Sequence, residues 1–116
     1  MENKIYKICS KNEWIDAKKL GIFKGYGIDV QDGFIHFSSK KQVKETARLH
    51  FDKKVNLVLL EIDSNLLNIK WEKSRNGELF PHLYDNLPIN SILEVYDLKL
   101  DTNNNHVFPS HLDSNL

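Results

Sequence analysis

Three short stretches of this chain set polar groups of catalytic or anion-binding type among apolar neighbours. The first is His36-Phe37-Ser38-Ser39. Alternation along an extended segment puts His36 and Ser38 on one face, with Ile35 and Phe37 on the other. The serines lead into a helix start, whose free backbone N–H groups favour anions. An imidazole beside such donors suits general acid or base work next to a bound phosphate or carboxylate. The bland alternative is that Ser39 only caps the helix and His36 is a satisfied, partly buried histidine.

The second stretch is Trp71-Glu72-Lys73-Ser74-Arg75. Arginine recognises phosphate and carboxylate bidentately, and Arg75 lies just before an Asn76-Gly77 turn. Its bland alternative is a surface Glu72–Arg75 pair, which is common and weak. The third is Glu78-Leu79-Phe80-Pro81-His82-Leu83-Tyr84. Pro81 keeps the backbone extended, so an imidazole is presented from a fixed strand. If Asn76-Gly77 closes a hairpin, Arg75 and Glu78 flank its turn. The alternative here is a core segment with His82 bonded to backbone. Three titratable or charged groups in otherwise apolar stretches therefore predict one concavity lined by His36, Arg75 and His82, with Ser38 at its rim.

Other candidates are weaker. Cys9 has no local nucleophile signature and reads as a small buried thiol. The five histidines include no pair at helical metal-ligand spacing, and no spacing supports a metal site. There is no Gly-x-Gly-x-x-Gly and no phosphate loop. The stripe Lys40, Lys44, Arg48 reads as a solvated helix face.

The elements that must position these groups follow from pattern. Ile5 to Cys9 reads as a strand. Ser10-Lys11-Asn12-Glu13 is a capping box, opening a helix with Trp14, Ala17 and Leu20 inward and Gly21 as its C-cap. Gly25, Gly27 and Asp32-Gly33 read as loop and turn. Phe34 to Ser38 reads as a strand, and Ser39-Lys40-Lys41-Gln42 as a second capping box before a helix with the stripe Val43, Thr46, Ala47, His50. The nearly all-apolar Val55 to Ile62 predicts a central strand covered on both faces. Asp63-Ser64-Asn65 is a turn, and Ile92 to Leu100 a last strand. The count is about two helices and about five or six short strands, without regular alternation, which predicts an α+β fold rather than a doubly wound sheet.

Composition bounds the function. With 116 residues, 41% hydrophobic and 28% charged, the chain is one domain's worth of folded protein. The expected ordered core covers about residues 4–100, followed by a loosely anchored tail. One cysteine forbids an internal disulfide. Sixteen Lys and Arg against 16 Asp and Glu give no surplus for duplex nucleic acid or an anionic membrane. No apolar run is long enough to span a bilayer and no leader pattern follows Met1, so the expected address is cytoplasmic.

Together these segments resemble a known family. Ile5-Tyr6-Lys7-Ile8, Trp14, Asp32-Gly33-Phe34-Ile35-His36-Phe37-Ser38, Gln42-Val43, Leu57-Val58-Leu59-Leu60 with Asp63, Trp71-Glu72-x-Ser74-Arg75 and Leu79-Phe80-Pro81-His82-Leu83-Tyr84 are similar to the bacterial domain of unknown function 952. The likeness runs to about Leu100. It implies a fold like that of the ADP-ribosyltransferases: a small α+β domain with a split, largely antiparallel sheet around an NAD-binding cleft. Phe37-Ser38-Ser39 is similar to the aromatic-x-Ser/Thr element of that superfamily. The first strand, Tyr6-Lys7-Ile8-Cys9, departs from its His-Gly-Ser/Thr element, and Glu72 and Glu78 compete for the place of a catalytic glutamate.

Three functions of different kind follow. In the first, Arg75 holds the phosphate of a nucleotide-like ligand, possible NAD included, Ser38, Ser39 and the helix start add donors, and His36 or His82 moves protons. In the second, the same pocket binds a small anionic metabolite or a peptide without catalysis. In the third, the polar groups form a buried network that fixes the core packing.

Overall fold

The computed structural model describes residues 3–112. Met1, Glu2 and residues 113–116, which close the expected loose tail, lie outside the described residues. The structure is α+β, and every strand pair in it is antiparallel.

The central strand is where the apolar run places it. β4 (Leu57–Asp63) lies between β1 (Lys4–Ser10) and β8 (Ile92–Leu98). Its side chains alternate between two cores. Val58, Leu60 and Ile62 join Ile5, Cys9, Phe23, Ile35 and Leu83. Leu57 and Leu59 join Tyr6, Ile8, Val43, Ala47, Leu98 and Leu112 on the other side. Val55 is left out of the strand and is exposed.

Helix α1 (Lys11–Leu20) starts on the predicted capping box. The Glu13 N–H donates to Ser10 Oγ at 3.0 Å, and the Ser10 N–H donates to Glu13 Oε1 at 3.0 Å. Gly21 ends it in the left-handed region, φ 79°, donating to the Ala17 carbonyl. Ala17 faces the core and Trp14 packs against it, but Leu20 is exposed, because the chain turns away at Gly21 before that face is covered.

The stretch read as loop contains a third helix, α2 (Ile28–Asp32), capped by Gly33. Two-residue β2 (Ile22–Phe23) precedes it and pairs with β7 (Leu87–Pro88). Gly25 carries φ +94°, and a Cβ there would meet the Asp29 Cβ at 2.8 Å. A close approach of backbone to α2 therefore requires glycine.

A second small sheet carries the candidate residues. β3 (Ile35–His36) pairs with β6 (Leu79–Leu83), and β6 with β5 (Lys70–Lys73). Asn76-Gly77 does close the β5–β6 hairpin, with Asn76 at φ 56° and Gly77 at φ 76°. The two larger sheets meet at one bridge, where Tyr6 and Ser38 exchange two backbone bonds of 2.8 Å. Beyond it β1 and β3 part, and the sheet is split.

The second capping box is corrected in part. The Ser39 N–H donates to Gln42 Oε1, but a tight turn over residues 39–42 comes first and α3 (Val43–His50) begins after it. Val43 and Ala47 of its stripe are buried, whereas His50 is exposed.

The tail is better anchored than expected. Leu112 is buried in the second core, and His111 Nε2 lies 2.8 Å from the buried Glu61 carboxylate.

Candidate functional site

A cleft of about 570 Å³ opens where β1 and β3 part. His36, Ser38, Arg75 and His82 all line it, together with Lys7, Cys9, Asp29, Thr46 and Phe80. The sheet register explains the convergence. His36 pairs across β3–β6 with His82, and Ser38 follows opposite Phe80. His36, Ser38, Phe80 and His82 thus share one sheet face, and Glu72 joins it as the β5 partner of Phe80. Ser38 is buried, so it lies within the cleft rather than at the rim.

On one side of the cleft the polar groups are saturated. Asp29, 3% exposed, is a hub. Its Oδ1 accepts from the His36 ring Nδ1 at 2.7 Å, the His36 backbone N–H at 3.0 Å and Lys7 Nζ at 3.0 Å. Its Oδ2 accepts from Lys7 Nζ at 2.9 Å and the Tyr26 N–H at 3.2 Å. His36 Nε2 meets Asp32 Oδ2 at 3.0 Å, so both ring nitrogens face carboxylates. Burial pushes the Asp29 carboxyl upward, but hydrogen bonds from His36 and the Lys7 charge outweigh it and hold it at about 2.

The other side is less complete. His82, also buried, points Nδ1 at Glu72 Oε1, 2.8 Å away, and the Tyr84 hydroxyl donates to the same oxygen at 2.7 Å. The Tyr84 hydroxyl first, then His82, lowers the Glu72 carboxyl. Phe34 packs over these groups, its ring centroid 4.4 Å from that of His36, 4.2 Å from His82 and 5.0 Å from Tyr84. The Arg75 guanidinium stacks on Phe80 at 4.8 Å and donates to Thr46 Oγ1 at 3.4 Å, a long bond. Among the described residues it has no ion-pair partner. Thr46 donates to the Gln42 carbonyl, and so accepts from both Ser38 and Arg75.

Glu72 does not pair with Arg75, which removes the surface-pair alternative for that segment. Glu78 is exposed and Ser39 lies outside the cleft lining. The Ser39 N–H is taken by Gln42 and the Val43 N–H by the Ser39 carbonyl, so these two helix-start amides are spent within the turn. Cys9 lines the cleft, but burial first and then Glu13 push its thiol up to about 12, so no thiolate nucleophile forms near neutral pH. Among the described residues, no cluster of three or more His, Cys, Asp or Glu side chains could hold a metal ion. No helix among them is long and apolar enough to cross a membrane.

Lys7, Asp29, Phe34, Thr46 and Tyr84 were not among the site residues expected from sequence. Lys7 left a signal, a lone cation between buried residues of one strand. Asp29 left none, because its five-residue helix carries no periodic stripe.

The family described as "protein of unknown function (DUF952)" matches residues 8–95. The chain belongs to this family. It is 42% identical to protein CC0527 of Caulobacter crescentus in its crystal structure, with a TM-score of 0.89 over 96% of this chain and 99% of that one. The solution structure of CC0527 matches at 44% identity and a TM-score of 0.81, covering 89% and 90% of the two chains. No functionally curated protein matches the sequence. The shared fold therefore extends over nearly the whole of both chains.

Proposed function

We propose that the cleft binds a small phosphorylated or nucleotide-like anion through Arg75. The observation that carries this reading is the guanidinium itself. It lines the cleft, lies over the Phe80 ring at 4.8 Å, and has no carboxylate within ion-pair reach among the described residues, Glu45 feeling its charge only at longer range. An arginine held by packing rather than by a counter-ion is preorganised for an anion from solution. Ser38 and Thr46 lie beside it but spend their hydroxyl protons within the protein, so the guanidinium is the donor that remains for the anion.

NAD-related transferase chemistry, implied by the likeness to the ADP-ribosyltransferase fold, is a narrower form of this reading. A non-catalytic module for an anionic metabolite is the second, and one observation favours it. Neither expected glutamate presents a free carboxylate to the cleft: Glu72 is held by His82 and Tyr84, and Glu78 is exposed outside it. The expected cytoplasmic address suits either ligand class.

The test is thermal shift and calorimetry with NAD, ADP-ribose, AMP and inorganic phosphate. A ligand at about 100 times its Kd adds ~2.7 kcal/mol to stability. At least one of these anions should raise Tm in the native chain, and Arg75→Ala should lose the shift while staying folded. No shift with any of them, or an equal shift in Arg75→Ala, removes the reading.

A further inference from the structure

We infer that His82, oriented by Glu72, is the proton-transfer group of this cleft, and that His36 is a positioning residue with no proton-accepting role. The inference rests on the cleft being the ligand site, and it assigns different tasks to two histidines that face each other, ring centroids 5.4 Å apart.

The assignment comes from counting ring nitrogens. His36 has none to spare: Nδ1 meets Asp29 at 2.7 Å and Nε2 meets Asp32 at 3.0 Å. Both ring nitrogens are thus taken up by carboxylates, and neither is left for a ligand in the cleft. His82 spends only Nδ1, on Glu72. Among the described residues its Nε2 has no protein partner, and no fully buried side-chain nitrogen or oxygen lacks one. That nitrogen is therefore not fully buried, on a side chain that is 5% exposed and lines the cleft. Glu72 fixes the tautomer with the proton on Nδ1 and the lone pair on Nε2, the arrangement by which a carboxylate turns an imidazole into a directed base.

Phe80, under Arg75, stands two residues from His82 on the same strand face, roughly 7 Å along β6. An anion on Arg75 thus brings its neighbouring atoms to Nε2. The step is a proton transfer: an O–H bond of water or of a ligand hydroxyl breaks, an Nε2–H bond forms, and the positive charge on the ring is balanced by Glu72. The oxygen so freed bonds to the phosphorus of the anion held by Arg75, the bond from phosphorus to the departing oxygen breaks, and the imidazolium gives its proton to that departing oxygen.

The test needs no known substrate. Diethyl pyrocarbonate acylates an unprotonated imidazole nitrogen, releasing carbon dioxide and ethanol, and mass spectrometry maps the site. His82 of the folded chain should react severalfold faster than His36, although its side chain is 5% exposed against 27%, since every His36 nitrogen is hydrogen-bonded. Long-range ¹H–¹⁵N spectra should show His82 as the Nδ1–H tautomer, and Glu72→Gln should slow its acylation without unfolding the chain. An unreactive His82, an Nε2–H tautomer, or His36 reacting as fast as His82 overturns the assignment. Inorganic phosphate and ADP-ribose should each protect His82. Reactivity with the expected tautomer but no protection by either keeps the assignment and counts against the anion site alone.

Discussion

The two sides of the cleft use the same residue types to opposite effect. Around Asp29, an ammonium, an imidazole and two carboxylates satisfy one another, with five contacts of 2.7–3.2 Å on a single buried carboxylate. Around His82 and Arg75, one imidazole nitrogen and most of a guanidinium have no partner among the described residues. A saturated cluster has nothing left to offer a ligand, and its work is to hold strands in place. An unsaturated one is stabilised by packing, on Phe80 and Phe34, and keeps its polar capacity for something else. Residue type alone does not separate the two, because a histidine stands in each.

Breaking the saturated side should have the largest effect. Asp29→Ala leaves Lys7, with its side chain 11% exposed, and His36 without their shared counter-ion. The expected loss is about 3–5 kcal/mol in urea unfolding, the usual result of removing one partner of a buried pair. A loss below about 1 kcal/mol would mean that the hub does not hold β1 and β3 together.

Acid should act on the same side. The Asp29 carboxyl is held at about 2 in the folded chain, below its ordinary value. A lowered carboxyl stabilises the fold fully above the ordinary carboxylate range, and that contribution is lost as pH falls toward about 2. Thermal melts between pH 5 and 2 should show it, and Asp29→Asn should flatten this part of the profile.

The unsaturated side should tolerate change. Arg75→Ala is expected to cost less than about 1 kcal/mol in the same assay, since it breaks one long hydrogen bond and no ion pair. If it instead unfolds the chain, Arg75 belongs with the structural groups and the contrast collapses. Smallest of all, Tyr84→Phe should leave the unfolding midpoint unchanged, because the Tyr84 ring is exposed and Glu72 keeps His82. Its measurable effect is on Glu72, whose carboxyl should titrate closer to its ordinary value, as read by ¹³C NMR.

Much of this arrangement was legible in the residues. The apolar run around Leu57–Ile62 marked the central strand, the Ser10–Glu13 box marked the start of α1, and alternation through His36 and Ser38 placed both on one face. The hairpin at Asn76-Gly77 brought Arg75 and His82 to that face as well. What remained hidden depends on tertiary context. α2 is one turn and a little more, too short for a period to show, and only the approach at Gly25 fixes Asp29 beneath His36. At Ser39 the capping pattern was real, but its serine opened a tight turn and the helix began later. Local chemistry was right there about the partners and wrong about the element.

The bridge between Tyr6 and Ser38 sets how stiff the cleft is. β1 is tied to β4 along all seven of its residues, whereas β3 is tied to β1 by one pair of backbone bonds and by the Asp29 carboxylate. Spreading the walls therefore works against two amides and one ion cluster, not against a whole ladder. The short tie between the sheets lies in the cleft, so the Tyr6 and Ser38 amides should exchange hydrogen with solvent sooner than those in the middle of β4.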